Sequence, residues 1–247
     1  MMNDSVKERL IVALDVESGR EAMELYARLR EHAGMFKIGM QLFTAAGPQV
    51  VRDLVAVGAR IFLDLKFHDI PNTVAAAGVE AARLGVSMFN VHALGGTEMM
   101  RRTRDAVTEI SEREGLKRPL LIGVTVLTSA DAAALAEVGL PADPEELVER
   151  LSGLTQKCGL DGVVASPREI ALVRAIAGQS NFLIVTPGVR PIGAAAHDQK
   201  RIMTPAEAIR AGADCLVMGR AILEADSPER AAAEIIEEMA QALSSKS

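Results

Sequence analysis

Eight short apolar runs, each followed by a segment of helical spacing, constrain this chain more than any other feature. The runs are RLIVALD (9–15), MFKIG (35–39), RIFLDLK (60–66), SMFNVHA (87–93), PLLIGVTVL (119–127), DGVVAS (161–166), NFLIVTPG (181–188) and DCLVMGR (214–220). Between them, apolar residues recur three and four positions apart, as in 21–30 and in PEELVERLSGL (144–154), which is the period of an amphipathic helix. Strand and helix alternating in this way predict parallel pairing, and eight parallel units can close on themselves. The expected architecture is a single-domain α/β protein, a (β/α)8 TIM barrel over 1–247, with an open doubly wound sheet as the competing arrangement. Punctuation agrees with these boundaries. Ser18, Asp143 and Ser166, the last before Pro167, are placed to cap helices. Gly58, Gly85 and Gly212 stand just before strands, where a left-handed glycine ends a helix. Two connections are longer than the rest. The stretch 128–142 adds a short helical piece after the fifth run, and 187–203 is a Gly/Pro/Ala-rich connection after the seventh.

Composition narrows the function classes. Hydrophobic residues make up 49% and charged residues 24%, enough for a large core and too apolar for a disordered chain. The net charge is −6, Lys and Arg are scattered, and aromatics are 3% with no Trp, so neither a basic patch nor a stacking platform for nucleic acid is expected. No apolar stretch approaches the roughly 18 residues of a membrane span. The opening MMNDSVKERL lacks the apolar core of a signal peptide, and the two cysteines, Cys158 and Cys215, are far apart. A protein of the reducing cytoplasm is expected, with Cys215 in the core run ADCLVMG.

The stretch FLDLKFHDIPNTV (62–74) sets Asp64, Lys66 and Asp69 at the end of an apolar run. Side chains alternate along a strand. Ile61, Leu63 and Leu65 therefore face the helix layer, while Phe62, Asp64 and Lys66 face the barrel interior. The same parity turns Asp15 inward at the end of the first strand and Lys37 inward in the second. Asp15, Lys37, Asp64 and Lys66 are expected to converge at the C-terminal mouth, where barrel enzymes carry their chemistry. A purely structural ion-pair network is the rival explanation. Charges avoid full burial unless paired, and buried pairs stabilise little over apolar residues. Several charges at adjacent strand ends are thus better explained by work on a substrate. At the far end, TPGVRP (186–191) closes the seventh strand and VMGR (217–220) the eighth. Loops after these two strands commonly bind phosphate, and Arg220 beside Gly219 offers a fork of donors.

The string DLKFHDIPNTV, with LIVALD, FKIG, NVHA, VTVLTS, TPGVR and VMGR around it, resembles the orotidine 5′-phosphate decarboxylase family over nearly the whole chain. The DxKxxD portion is shared with related phosphosugar decarboxylases; the longer string with Ile70, Pro71, Asn72 and Thr73 is far more specific. The resemblance implies loss of CO2 from orotidine 5′-monophosphate to give uridine 5′-monophosphate, without metal or organic cofactor. It implies catalytic roles for Lys37, Asp64, Lys66 and Asp69, with Lys66 as proton donor. Asp15 and Lys37 would hold ribose hydroxyls, and Thr128 would lie against the pyrimidine. Pro187, Arg190, Gln199, Gly219 and Arg220 would serve the phosphate end, with 187–203 closing as a lid. Asp69, Ile70 and Thr73 would reach into a neighbouring subunit's site, which implies a homodimer. The chain length matches the form that stands alone in bacteria.

Two other readings stay open on the residues themselves. A metal-dependent phosphosugar decarboxylase or epimerase could use His92 with Asp64. Yet His32, His68, His92 and His197 show no paired ligand spacing, and Lys66 between carboxylates would repel a cation. His92 is expected to be a satisfied interior histidine, and His68 is expected to point away from Asp69 by alternation. The third reading is a non-catalytic phosphoribosyl-ligand binding protein, which would have no need of the full Asp64/Lys66/Asp69 set.

Overall fold

Each apolar run becomes a strand because it is covered on both sides, as parallel strands in an α/β protein are. The computed structural model describes residues 2–178, 181–191 and 203–244. Its strands are β1 (Leu10–Ala13), β2 (Met35–Gly39), β3 (Ile61–Phe67), β4 (Met88–His92), β5 (Leu120–Val124), β6 (Gly162–Val164), β7 (Leu183–Pro187) and β8 (Cys215–Met218). They are ordered β1 to β8 around a closed parallel barrel, so the open sheet is excluded. All eight fall inside the runs expected from sequence, apart from Phe67, by which β3 is longer at its C-terminal end.

The chain divides into two compact units, 1–64 with 186–247, and 65–185. In the first unit, β1 pairs with β2 and with β8, and β2 pairs with β3. The register sets Ala13 beside Lys37, Lys37 beside Phe62, and Gly39 beside Asp64. The helix Gly19–Leu29 starts at Ser18, whose hydroxyl accepts the Glu21 N–H at 3.3 Å, and it buries Ala22, Tyr26 and Leu29. The Tyr26 ring meets Phe36 of β2 edge-on, with centroids 5.1 Å apart, and its hydroxyl donates to the Val57 carbonyl. The helix Pro205–Ala211 opens on a reciprocal cap. The Glu207 N–H donates to the Thr204 hydroxyl, and the Thr204 N–H donates to the Glu207 carboxylate. It ends at Gly212 in the left-handed region.

In the second unit, β4, β5, β6 and β7 pair in sequence. Asp161 joins them below: its carboxylate accepts the Leu121 N–H at 2.7 Å and both contacts from Arg118. Asp143 caps the helix Pro144–Lys157 by accepting the Glu145 and Glu146 N–H groups. The insertion after β5 contains the expected short helix, Ala132–Glu137, capped by Asp131. Gly162 is required by close approach: a Cβ there would strike the Leu183 carbonyl oxygen on β7.

Cys158 is buried. Cys215 is only partly covered as a residue, but its thiol end is desolvated, and burial pushes its pKa up to about 11. No described helix is long and apolar enough to cross a membrane.

Candidate active site

The register of β1, β2 and β3 decides which charges meet. Lys37 lies level with Ala13 and Phe62, one layer beneath Asp15 and Asp64. Its side chain rises between the two carboxylates. The ammonium Nζ is 3.1 Å from Asp15 Oδ1 and 3.5 Å from Asp64 Oδ2. Lys37 and Asp64 expose 11% and 14% of their side chains, whereas Asp15 exposes 51%. One carboxylate is thus anchored in the barrel, and the other stands at the rim with an oxygen face open to a ligand. Of the four charges expected to converge, Asp15, Lys37 and Asp64 meet here, and Lys66 follows Asp64 two residues on along β3.

Gly39 belongs to the same cluster, a role that sequence reading missed. A Cβ at this position would sit 3.0 Å from Lys37 Nζ and 3.6 Å from Asp15 Oδ1, in the space the ammonium uses. The signal available was parity: Gly39 is two residues beyond Lys37 on one strand. Gly219 also backs onto the cluster, with a would-be Cβ 3.3 Å from Asp15 Oδ2. It precedes the short helix Arg220–Leu223, so the end of β8 expected to meet phosphate adjoins Asp15. Arg220 is exposed. After β7, Pro187 and Arg190 are half-buried, and the Arg190 N–H donates to the Met203 carbonyl at 3.1 Å. That bond ties together the two ends of the long connection. Gln199 and the stretch 192–202 of the expected lid lie outside the described residues.

Lys66 ends the regular part of β3 in an unusual way. Its φ is 51°, and among the described residues it is the only non-glycine with positive φ. A lysine in the left-handed region is strained. Its N–H donates to Asn90 Oδ1 on β4 at 2.8 Å, and Asn90 is fully buried. Sequence reading did not single out Asn90. The clue was an amide inside the otherwise apolar MFNV segment, at the same parity as His92.

Just past the end of β3, His68 stacks on His92 with ring centroids 5.3 Å apart and planes at 23°. His92 is not the satisfied histidine that was expected. Its buried Nδ1 has no hydrogen-bond partner among the described residues. Burial lowers the His92 pKa, and His68 and Lys66 lower it further by repulsion. Beyond the stack, Asp69 accepts its neighbour Ile70's N–H at 2.6 Å, and Asp69, Ile70 and Thr73 are all exposed. Thr128 is exposed in the turn after β5. Among the described residues, no group of three or more His, Cys, Asp or Glu is placed to hold a metal ion.

Fold and charge array define the class: a parallel (β/α)8 barrel with an acid–lysine–acid cluster at the C-terminal ends of its first three strands. The chain belongs to the Orotidine 5′-phosphate decarboxylase / HUMPS family, whose model matches residues 8–235. It is 56% identical over 237 residues to the orotidine 5′-phosphate decarboxylase of Syntrophotalea carbinolica, covering 96% of this chain and 97% of that one. The Geobacter sulfurreducens orotidine 5′-phosphate decarboxylase is 53% identical over 239 residues, covering 97% and 99%. The crystal structure of the Lactobacillus acidophilus enzyme of that name superposes with a TM-score of 0.82 at 36% identity, covering 93% of this chain and 98% of that one.

If residue 66 is strained, glycine should relieve it. Lys66→Gly is expected to be more stable than Lys66→Ala by roughly 1 kcal/mol, because only alanine keeps a Cβ in the left-handed region. Urea denaturation of the two variants measures this, and equal midpoints would mean that residue 66 is not left-handed. His92 supplies a pH dependence. Its depressed pKa means that the unfolded chain, with the ordinary value of 6.5, takes up a proton first as pH falls. The folded state is therefore at full advantage above 6.5 and loses stability below it, until folded His92 is also protonated. The melting temperature of the native protein should fall more steeply from about pH 7 to about pH 5 than that of His92→Gln.

Proposed function

We propose that this chain decarboxylates orotidine 5′-monophosphate to uridine 5′-monophosphate, closing pyrimidine nucleotide synthesis, without metal or organic cofactor. The observation that carries the reading is Lys37 Nζ set between Asp15 and Asp64, the latter on the strand that also carries Lys66. It stands in a chain more than half identical to decarboxylases of that name.

The chemistry demands such an array. Breaking the bond between C6 and the carboxylate leaves an electron pair in the plane of the pyrimidine ring, where the π system cannot delocalise it. A fixed cation beside C6 stabilises that pair as it forms. The Lys66 ammonium fills this role and then gives its proton to C6, so that CO2 leaves, a C6–H bond forms, and the amine is recharged from solvent. Asp64 lies near the departing carboxylate. Two like charges about 4 Å apart repel by roughly 4 kcal/mol at an effective dielectric of 20. Complete relief of that repulsion would be worth about three powers of ten in rate. Lys37 and Lys66 offset part of it in the ground state, so stabilisation of the carbanion carries the larger share. Asp15, partly open and fixed by Lys37, is suited to ribose hydroxyls. Lys37 in this arrangement already occupies the place between carboxylates that a metal ion would need.

The phosphate end is assigned to Pro187, Arg190, Gln199, Gly219 and Arg220, and Thr128 to the pyrimidine. Binding energy at the phosphate, remote from the breaking bond, helps through closure and orientation. Asp69, Ile70 and Thr73 are assigned to the site of a second subunit. Their exposure supports this, as does the uncovered apolar surface of Ile70 (65%), Leu94 (38%) and Leu127 (44%), which follow β3, β4 and β5. The proposed assembly is a single-domain homodimer in the cytoplasm.

Conversion of orotidine 5′-monophosphate, followed by its absorbance change with a chelator present, should proceed for the native chain. It should fall at least about 10⁴-fold in Lys66→Ala. Absence of turnover in the native chain makes the protein a binder, loss to the chelator makes it a metal enzyme, and substantial residual rate in the variant removes Lys66 as proton donor. Sharing of the site has its own test. Mixed dimers of inactive Lys66→Ala and inactive Asp69→Asn subunits hold one fully native site in two. Random exchange should restore about a quarter of native activity; no recovery after demonstrated exchange means that Asp69 serves its own subunit.

A further inference from the structure

We infer that Asn90 is a positioning residue for this reaction, holding the backbone of Lys66 in the left-handed conformation that aims its ammonium. The inference rests on the assignment of Lys66 as proton donor and adds a device to it. Three observations meet here. Lys66 is the one described non-glycine residue with positive φ, at 51°. Lysine, unlike asparagine or aspartate, has no short polar group with which to satisfy its own backbone in that region. Its N–H instead donates to Asn90 Oδ1 at 2.8 Å.

Asn90 is a polar residue in a wholly buried stretch of β4. It is 0% exposed between Phe89 and Val91, which are also 0% exposed, and an amide in such a strand is costly to bury unless its hydrogen bonds serve a purpose. Its own position is fixed, because β4 is locked to β5 through Asn90 beside Ile122 and Val91 beside Gly123. The amide oxygen is thus a stationary acceptor, and the Lys66 N–H is drawn to it.

The consequence for catalysis is geometric. Backbone φ at residue 66 sets the direction of the Cα–Cβ bond and therefore the region its long side chain can sweep. An extended residue 66 would continue the pleat and carry the ammonium elsewhere. A misplacement of about 1 Å in a reacting group can cost about 100-fold in rate. Asn90 therefore acts on the chemical step through Lys66 and need not touch the substrate.

The test uses the full-length protein with orotidine 5′-monophosphate as substrate. Native turnover is measured first, so that failure of the decarboxylase reading shows before any variant is compared. Asn90→Leu keeps the branched shape and loses the acceptor; Asn90→Asp keeps an acceptor oxygen at the same reach. In the folded leucine variant kcat is expected to fall about 100-fold with KM close to native, because placement of the amine is lost while substrate binding is not. The aspartate variant is expected to recover most of that loss. Should the leucine variant fail to fold, Asn90→Ser, whose shorter oxygen falls short of the Lys66 N–H, takes its place. With an active native enzyme, the inference is overturned by a folded leucine or serine variant with kcat within about twofold of native. It is overturned equally by a loss that appears in KM alone, or by one that the aspartate variant shares in full.

Discussion

The rim of this barrel depends on one ammonium held between two carboxylates. Lys37 stands one layer below Asp15 and Asp64, and only the parallel register of β1, β2 and β3 brings its Nζ within 3.1 and 3.5 Å of their oxygens. A slip of one residue in β2 would turn Lys37 toward the helices and take its ammonium away from Asp15 and Asp64. Such a cluster contributes little to stability beyond what apolar residues of the same volume would contribute. Its value lies in fixing two negative charges close together, which water-exposed side chains on loops would not tolerate without moving apart. Gly39 completes the arrangement by leaving empty the volume into which the lysine rises.

At Lys66 the constraint passes from charge to backbone. The strand carries Asp64 in extended geometry and, two residues later, abandons it at φ 51°. A glycine would adopt this conformation without strain, but it would carry no amine. The chain retains a strained lysine, with Asn90 bonded to it from β4. Strain of this kind persists where surrounding contacts over-determine it, and here it falls on the residue assigned the proton transfer.

Much of this was legible in the sequence because it is local or periodic. The eight runs gave the strands, since both faces of a parallel strand need apolar residues. Ser18, Asp143 and Gly212 marked helix ends because capping involves only near neighbours. Parity sufficed to bring Asp15, Lys37 and Asp64 together. The stacking of His68 on His92 and the bond from Lys66 to Asn90 both join β3 or its loop to β4. They depend on how two segments meet in space, which no spacing within either segment reveals. Gly39 was legible as strand but not as site, because a missing side chain announces nothing until its neighbours are known.

The histidine stack has a consequence for the amine beside it. Lys66 and His68 both act to lower the His92 pKa, on top of the larger effect of burial. Such coupling is reciprocal: a proton on His92 would oppose the positive charge on Lys66 to the same degree that Lys66 opposes the proton. Burying His92 with no hydrogen-bond partner for Nδ1 among the described residues removes the solvation that an imidazolium would need. Both effects disfavour a proton on His92. A carbanion is best stabilised by a cation whose charge is present before the bond breaks, because no reorganisation is then required during the reaction. Burial of one histidine thus works against a second positive charge near the residue assigned the proton transfer.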